Sequence, residues 1–277
     1  MSPNPTDPQA LVEAIRREAG LLVVLTGAGV SLASGIPTFR GSDPDAIWSR
    51  DVTELATLRY FREDPVGSWR WYRQRFAGLL GAQPNAAHRA IAALERWQAC
   101  QLRDFLLVTQ NIDTLHEQAG SARVVKVHGS ANRCRCSEEN CRYGAIDSFP
   151  IDVADFSAFD REPARRSIPR CPECGALMRP HVLWFDEYYT GHADYQWHIL
   201  DAAADRMRLL VCLGTSLAVG VTAFLQSTAA RNAAPMFLVE PGRAPEDTST
   251  AIHHIRAKAE ELMPSLIQSL KDESGSA

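Results

Sequence analysis

Residues 21–41 read LLVVLTGAGVSLASGIPTFRG, and the fold turns on how that stretch is read. Five apolar residues, Leu21 to Leu25, suit a strand buried on both faces. Thr26-Gly27-Ala28-Gly29 then breaks the run with residues small enough for backbone to approach a bound phosphate. A helix starting near Ser31 would turn unpaired N–H groups and a positive dipole end toward an anion. Gly35-Ile36-Pro37 ends that helix, and Thr38-Phe39-Arg40 places a cation beside the same pocket. The dinucleotide fingerprint G-x-G-x-x-G is not met. Leu32 stands where its third glycine belongs, and no acidic residue ends a second strand about 20 residues on. A plain tight turn is the other reading of these glycines.

Working outward, residues 8–20 place Leu11, Val12 and Ile15 on one helical face and stop at Gly20. Further buried strands are expected at 105–108, 124–127, 209–213 and 236–239, with helices between them and an amphipathic helix over 254–270. This alternation predicts an α/β fold with a doubly wound parallel sheet. Ligands in such sheets bind beyond the carboxyl ends of the strands. Four segments end strands there: Gln110-Asn111-Ile112-Asp113, His128-Gly129-Ser130, Gly214-Thr215-Ser216 and Glu240-Pro241. Amides and a carboxylate suit ribose hydroxyls and a carboxamide, although Asp113 also reads as a helix N-cap. His128 suits a general base, since an imidazole titrates near neutrality. His88, at a helix start, reads as structural.

Residues 42–83 are rich in aromatics and arginine and carry no strand-like run, so short helices inserted over the pocket are expected. Tyr72 and Arg75 lie three apart and share a helix face. They form either a solvated surface or a phenol–guanidinium pair suited to a carboxylate.

Of seven cysteines, Cys136-x4-Cys141 and Cys171-x2-Cys174 have the short spacings of a structural zinc site. Cys134 leaves an alternative pairing with Cys141 open. Four thiolates leave no open coordination position, so this metal is expected to support folding rather than catalysis.

With 45% hydrophobic and 22% charged residues over 277, the composition is that of an ordinary soluble globular protein. A net charge of −4 lacks the basic footprint of a nucleic-acid binder. The apolar region 209–225 is too broken by Gly214-Thr215-Ser216 and Gly220 to span a bilayer. The N-terminus shows neither a basic nor an apolar signal region, so a cytoplasmic protein without membrane contact is expected. Nothing in the sequence reads on oligomeric state.

Taken together and in order, GAG…GIPTFRG, TQNID, HG, the paired cysteines and GTS resemble the sirtuins, the NAD-dependent protein deacylases, over nearly the whole chain. The resemblance implies a Rossmann-like part at 8–41, 84–132 and 176–270 within a single domain over 8–270. It also implies a helical insertion at 42–83, a zinc module at 133–175 and loose ends at 1–7 and 271–277. NAD as co-substrate would meet Gly27, Ala28, Gly29, Thr38, Phe39, Arg40, Gln110, Asn111, Asp113, Gly214, Thr215, Ser216 and Glu240. His128, with Asn111 and Asp113, would carry catalysis on acyl-lysine proteins or peptides. One zinc ion would sit on Cys136, Cys141, Cys171 and Cys174. Ala56, Tyr72 and Arg75 resemble the branch that removes succinyl, malonyl and glutaryl groups, where the small residue widens the pocket and the pair holds the acid end. Two departures stand out. The family's Phe-Gly-Glu is here Phe185-Asp186-Glu187, in a segment expected to return the chain to the main sheet, and Leu238 replaces a usual asparagine. An NAD hydrolase or mono-ADP-ribosyltransferase on the same scaffold, or a non-catalytic NAD- or acyl-lysine-binding module, are the rival readings.

Overall fold

The computed structural model describes residues 7–38, 50–242 and 252–272. Its strands are β1 (Leu21–Thr26), β2 (Phe105–Thr109), β3 (Val124–Lys126), β4 (Gly129–Cys136), β5 (Phe149–Pro150), β6 (Met178–Val182), β7 (Met207–Leu213), β8 (Met236–Val239) and β9 (His253–Ile255). Its helices are α1 (Pro8–Arg17), α2 (Arg50–Leu55), α3 (Leu58–Glu63), α4 (Pro65–Gly81), α5 (Ala86–Cys100), α6 (Leu115–Gln118), α7 (Arg142–Ala145), α8 (Ser157–Arg161), α9 (Trp197–Ala204), α10 (Gly220–Arg231) and α11 (Ala259–Asp272).

Every residue of β1 is buried, because both of its faces are covered. Leu22 and Val24 enter one apolar cluster, while Leu21, Val23 and Leu25 enter another, as the two-residue period of a strand requires. Leu11 and Ile15 of α1, Ile91 and Leu94 of α5 and Leu266 and Leu270 of α11 complete the first cluster. Leu200 of α9 and Val221 and Leu225 of α10 complete the second. Each such side chain fully withdrawn from water contributes about 1.5–3 kcal/mol. The six main strands are all parallel, in the order β3-β2-β1-β7-β8-β9. The chain therefore runs outward from β1 to β3 on one side and from β7 to β9 on the other. The order reverses between β1 and β7, and that reversal marks the crevice where open α/β sheets take ligands.

A second, antiparallel sheet in the order β5-β4-β6 carries the cysteine segment. Its apolar side packs with Phe61, Trp69, Tyr72 and Phe76 of the helical insertion. The segment Arg179-Pro180-His181-Val182 joins this small sheet, pairing with β4, and not the main sheet as its sequence suggested. It carries a buried ion cluster. Arg179 grips Glu187 with both nitrogens (2.5 and 2.8 Å), Arg135 adds a third bond at 2.7 Å, and the Arg179 guanidinium lies 3.3 Å from the centre of the Trp184 ring.

Three further expectations are corrected. The helix expected from Ser31 is a seven-residue 3₁₀ segment, Ala28–Ser34, closed by Gly35 in the left-handed region. Residues 253–255 form edge strand β9, so the closing helix begins only at Ala259 and runs on to Asp272. Asp7, expected in a loose tail, caps α1 by accepting the Gln9 N–H at 2.9 Å.

Removing one partner of a buried ion cluster strands the others, so Glu187→Gln is expected to lower unfolding free energy by about 3–5 kcal/mol, read from urea denaturation. Burial alone would raise the Glu187 pKa, but the Arg179 bonds and the Arg179 and Arg135 charges hold it below its ordinary range. The stabilisation is therefore complete above the unfolded-state value of about 4.3 and is lost as pH falls toward the folded one. The variant should show a flatter acid limb.

Candidate functional site

At the reversal point the turn after β1 lies directly against the turn after β7. The Gly29 N–H donates to the Gly214 carbonyl at 2.9 Å, and the Gly27 N–H to that of Leu213 at 3.0 Å. A methyl group on Gly29 would stand 2.8 Å from the Gly214 Cα, and one on Gly214, at φ +56, would stand 2.5 Å from the Val30 nitrogen. These glycines are required by each other's backbone, whatever ligand they also admit.

The end of β2 is tied to both turns. Asn111 donates through Nδ2 to the Gly27 carbonyl (3.0 Å) and to Ser31 Oγ (3.1 Å), and Ser31 in turn donates to Asp113 Oδ2 at 2.8 Å. The other Asp113 oxygen accepts the Leu115 N–H at 3.0 Å, so this residue ties down the start of α6 from one position before its N-cap, Thr114. Gln110 donates through Nε2 to Thr215 Oγ1 at 3.0 Å. Ser31 was missed in the sequence, because a serine in a turn carries no pattern of its own.

His128 stands between β3 and β4, facing the same edge. Its Nδ1 lies 2.7 Å from the Gln110 carbonyl, which can only accept, so Nδ1 carries the proton and Nε2 is left with a lone pair. Burial lowers its pKa, and the Gln110 bond opposes that. Tyr189, also missed in the sequence, stacks on the ring at 5.9 Å between centroids, with its hydroxyl 3.5 Å from Nε2. His88 completes a capping box with Asn85, and burial pushes its pKa down to about 4, in keeping with a structural role.

Ala56, Tyr72 and Trp184 share one apolar cluster beside the insertion. Trp184 Nε1 donates to the Tyr72 hydroxyl at 2.7 Å. Arg75, one turn along α4, is half-buried with its guanidinium 4.2 Å from the centre of the Trp71 ring, and no acidic side chain among the described residues pairs with it. Asp186 does not take the left-handed turn of a glycine. It caps α3 instead, accepting the N–H groups of Leu58 (2.7 Å) and Arg59 (3.1 Å).

Other expected residues are less closely joined. Phe39 and Arg40 lie outside the described residues. Ala28 opens the 3₁₀ turn, Thr38 is half-buried and Ser216 exposed. Glu240 ends β8 at the same sheet edge, where its carboxylate accepts the Gly242 N–H. Leu238 is buried in the sheet core and offers no polar contact.

The sulfur atoms of Cys136, Cys141, Cys171 and Cys174 all lie within 4.8 Å of one another, with Cys136 3.4 Å from Cys174 and Cys141 3.6 Å from Cys171. Zinc–sulfur bonds of about 2.3 Å in a tetrahedron would set sulfurs about 3.8 Å apart, so the set suits zinc. Cys134 is outside it, wholly buried, with burial pushing its thiol up to about 12. His181, His192 and Asp194 form a second compact group. It does not suit a cation. Both His192 nitrogens are bonded to backbone, and the guanidinium charges of Arg135, Arg179 and Arg133 around His181 disfavour a further cation.

Residues 27–221 match the model of the Sir2 family. The chain is 37% identical over 258 residues to NAD-dependent protein deacylase 1 of Archaeoglobus fulgidus, covering 92% of this chain and 94% of that one. It is 39% identical to NAD-dependent protein deacylase 1 of Pseudomonas aeruginosa, covering 89% and 93%. Among solved structures, a Sir2 homologue mutant bound to ADP-ribose superposes with a TM-score of 0.78 at 34% identity, over 96% of this chain and 97% of the other. A Sir2 homolog–NAD complex gives 0.76 at 34%, over 96% and 94%.

Zinc content separates the two possible ligand sets. Cys134→Ser is expected to retain one zinc per chain by atomic absorption, and Cys136→Ser to lose it. Chelation should unfold the small sheet, since metal affinity there is folding free energy.

Proposed function

This chain belongs to the Sir2 family, and on that premise we propose that it is an NAD-dependent protein-lysine deacylase whose pocket favours acyl groups ending in a carboxylate. The observation that carries the chemistry is His128, whose Nδ1 is held 2.7 Å from the Gln110 carbonyl beyond the end of β2, so that Nε2 keeps the lone pair.

In this reading NAD is a co-substrate held across the two glycine turns, with Gln110, Asn111 and Asp113 at its ribose and carboxamide. The acyl-lysine amide oxygen displaces nicotinamide at the ribose anomeric carbon. His128 Nε2 then takes a proton from a ribose hydroxyl, which attacks the acyl carbon. With one water consumed, the acyl group leaves on ADP-ribose and the lysine is freed. Much of the acceleration comes from holding a weak nucleophile against the reacting carbon. The four-thiolate zinc would supply folding free energy to the small sheet and no open position for substrate.

The preference for acids rests on Arg75. A half-buried guanidinium without an acidic partner among the described residues, stacked on Trp71 and one turn from the phenol of Tyr72, is suited to a carboxylate at the end of an acyl chain. One such charged hydrogen bond is worth about 1.5–3 kcal/mol, or roughly ten- to a hundredfold in selectivity.

His128→Ala is expected to cost about 10²–10⁴ in deacylation while leaving fold and zinc content intact; near-normal turnover would reject the base. Arg75→Met should lower kcat/KM on a succinyl-lysine peptide by about ten- to a hundredfold and change an acetyl-lysine peptide little. Equal losses on both peptides would return Arg75 to a helix-surface role. Nicotinamide released equally without peptide would move the assignment to NAD hydrolysis.

A further inference from the structure

Tyr189 lies in the segment that departs from the family pattern, three residues beyond Asp186, and it is built into the site on four sides. One face of its ring stacks on His128 at 5.9 Å and 18°. It also stacks on Trp197 at 4.7 Å and 20°, and Trp197 is backed in turn by Phe224 at 4.9 Å. Its edge meets α10 so closely that a methyl group on Gly220 would stand 3.4 Å from the ring. Its hydroxyl accepts the Val221 N–H at 3.2 Å.

That last bond decides where the phenolic proton goes. The oxygen is already an acceptor, and the nearby partner able to receive its proton is His128 Nε2, at 3.5 Å. Nε2 can accept because Nδ1 holds its own proton against Gln110. The distance is at the outer limit of a hydrogen bond, a length at which catalytic contacts often stand before substrate arrives. Burial raises the phenol pKa, so Tyr189 remains a donor at neutral pH.

We propose that Tyr189 is the positioning residue of the base: its ring sets the plane of the His128 imidazole, and its hydroxyl keeps Nε2 as the accepting nitrogen until a substrate hydroxyl takes that place. This rests on His128 being the base. The two faces of the contact then have separate consequences. The stack holds the imidazole where it can reach the substrate, and the hydroxyl governs the hand-over of one proton.

Tyr189→Phe keeps the ring and removes the hydroxyl, whereas Tyr189→Leu removes both. In the proposed sequence nicotinamide departure needs no base, and acyl transfer does. Labelled-nicotinamide exchange therefore reads the first half of the reaction, and lysine release reads the whole. Tyr189→Phe is expected to lower lysine release about five- to twentyfold while exchange stays within about twofold. Tyr189→Leu should lower lysine release further. In the ligand-free protein, nitrogen NMR of the imidazole should show the unprotonated-nitrogen resonance of His128 moved in Tyr189→Phe. Exchange and release falling together, wild-type release in Tyr189→Phe, or an unmoved resonance would each overturn the proposal. A wild-type chain without acyl-dependent nicotinamide release would overturn the deacylase reading instead, and the NMR comparison would still decide whether Tyr189 holds the imidazole.

Discussion

Two turns touching backbone to backbone hold the strand ends together. The contact between Gly29 and Gly214 exists because neither carries a side chain, and it brings the ends of β1 and β7 closer than any other residue pair would permit. The β2 end is then sewn to both, Asn111 to the first turn and Gln110 to Thr215 of the second. His128 hangs from the same stitching, since its anchoring acceptor is the Gln110 carbonyl. A histidine contributed by one connection is thereby oriented by the junction of three strands. Geometry of that kind is hard to loosen locally, which is what a positioned base needs.

The zinc module and helical insertion answer to a different constraint. Their apolar cluster is separate from the two that sandwich the main sheet, and it includes Cys136, Cys141 and Cys171 as well as Trp69, Phe76 and Trp184, while Cys174 closes the metal set from the exposed side. A small antiparallel sheet of this size buries too little to stand alone, so a closed metal site and the Arg135–Glu187–Arg179 cluster brace it from two sides. Glu187 also accepts the Trp184 N–H at 3.0 Å, which fixes the segment that leads from this module back to the main sheet.

What was legible in the sequence was whatever depends on runs and spacings. Continuous apolar stretches located β1, β2, β7 and β8, because strands buried on both faces need them, and the cysteine intervals located the metal site. Edge strand β9 was not legible: three residues, two of them histidine, carry no alternation, and they ran into the amphipathic pattern of α11. The sheet to which Met178–Val182 belongs was equally hidden, since a strand's sequence does not name its partner. Tyr189 and Ser31 draw their importance from neighbours far along the chain, and Asp186 looked anomalous only until the N-terminus of α3 appeared opposite it.

That last pairing ties two parts of the molecule into one mechanical unit. Asp186 binds two N–H groups of α3, and the neighbouring Phe185 N–H donates to the Ala56 carbonyl at 3.1 Å. In the proposed reading, the insertion is the partner that borders the acyl chain. Three hydrogen bonds join the two parts, so a displacement of one is resisted by the other. A glycine at 186 would keep the Phe185–Ala56 bond but leave the first two N–H groups of α3 without this carboxylate, so aspartate supplies two of the three ties between the insertion and the segment that follows β6.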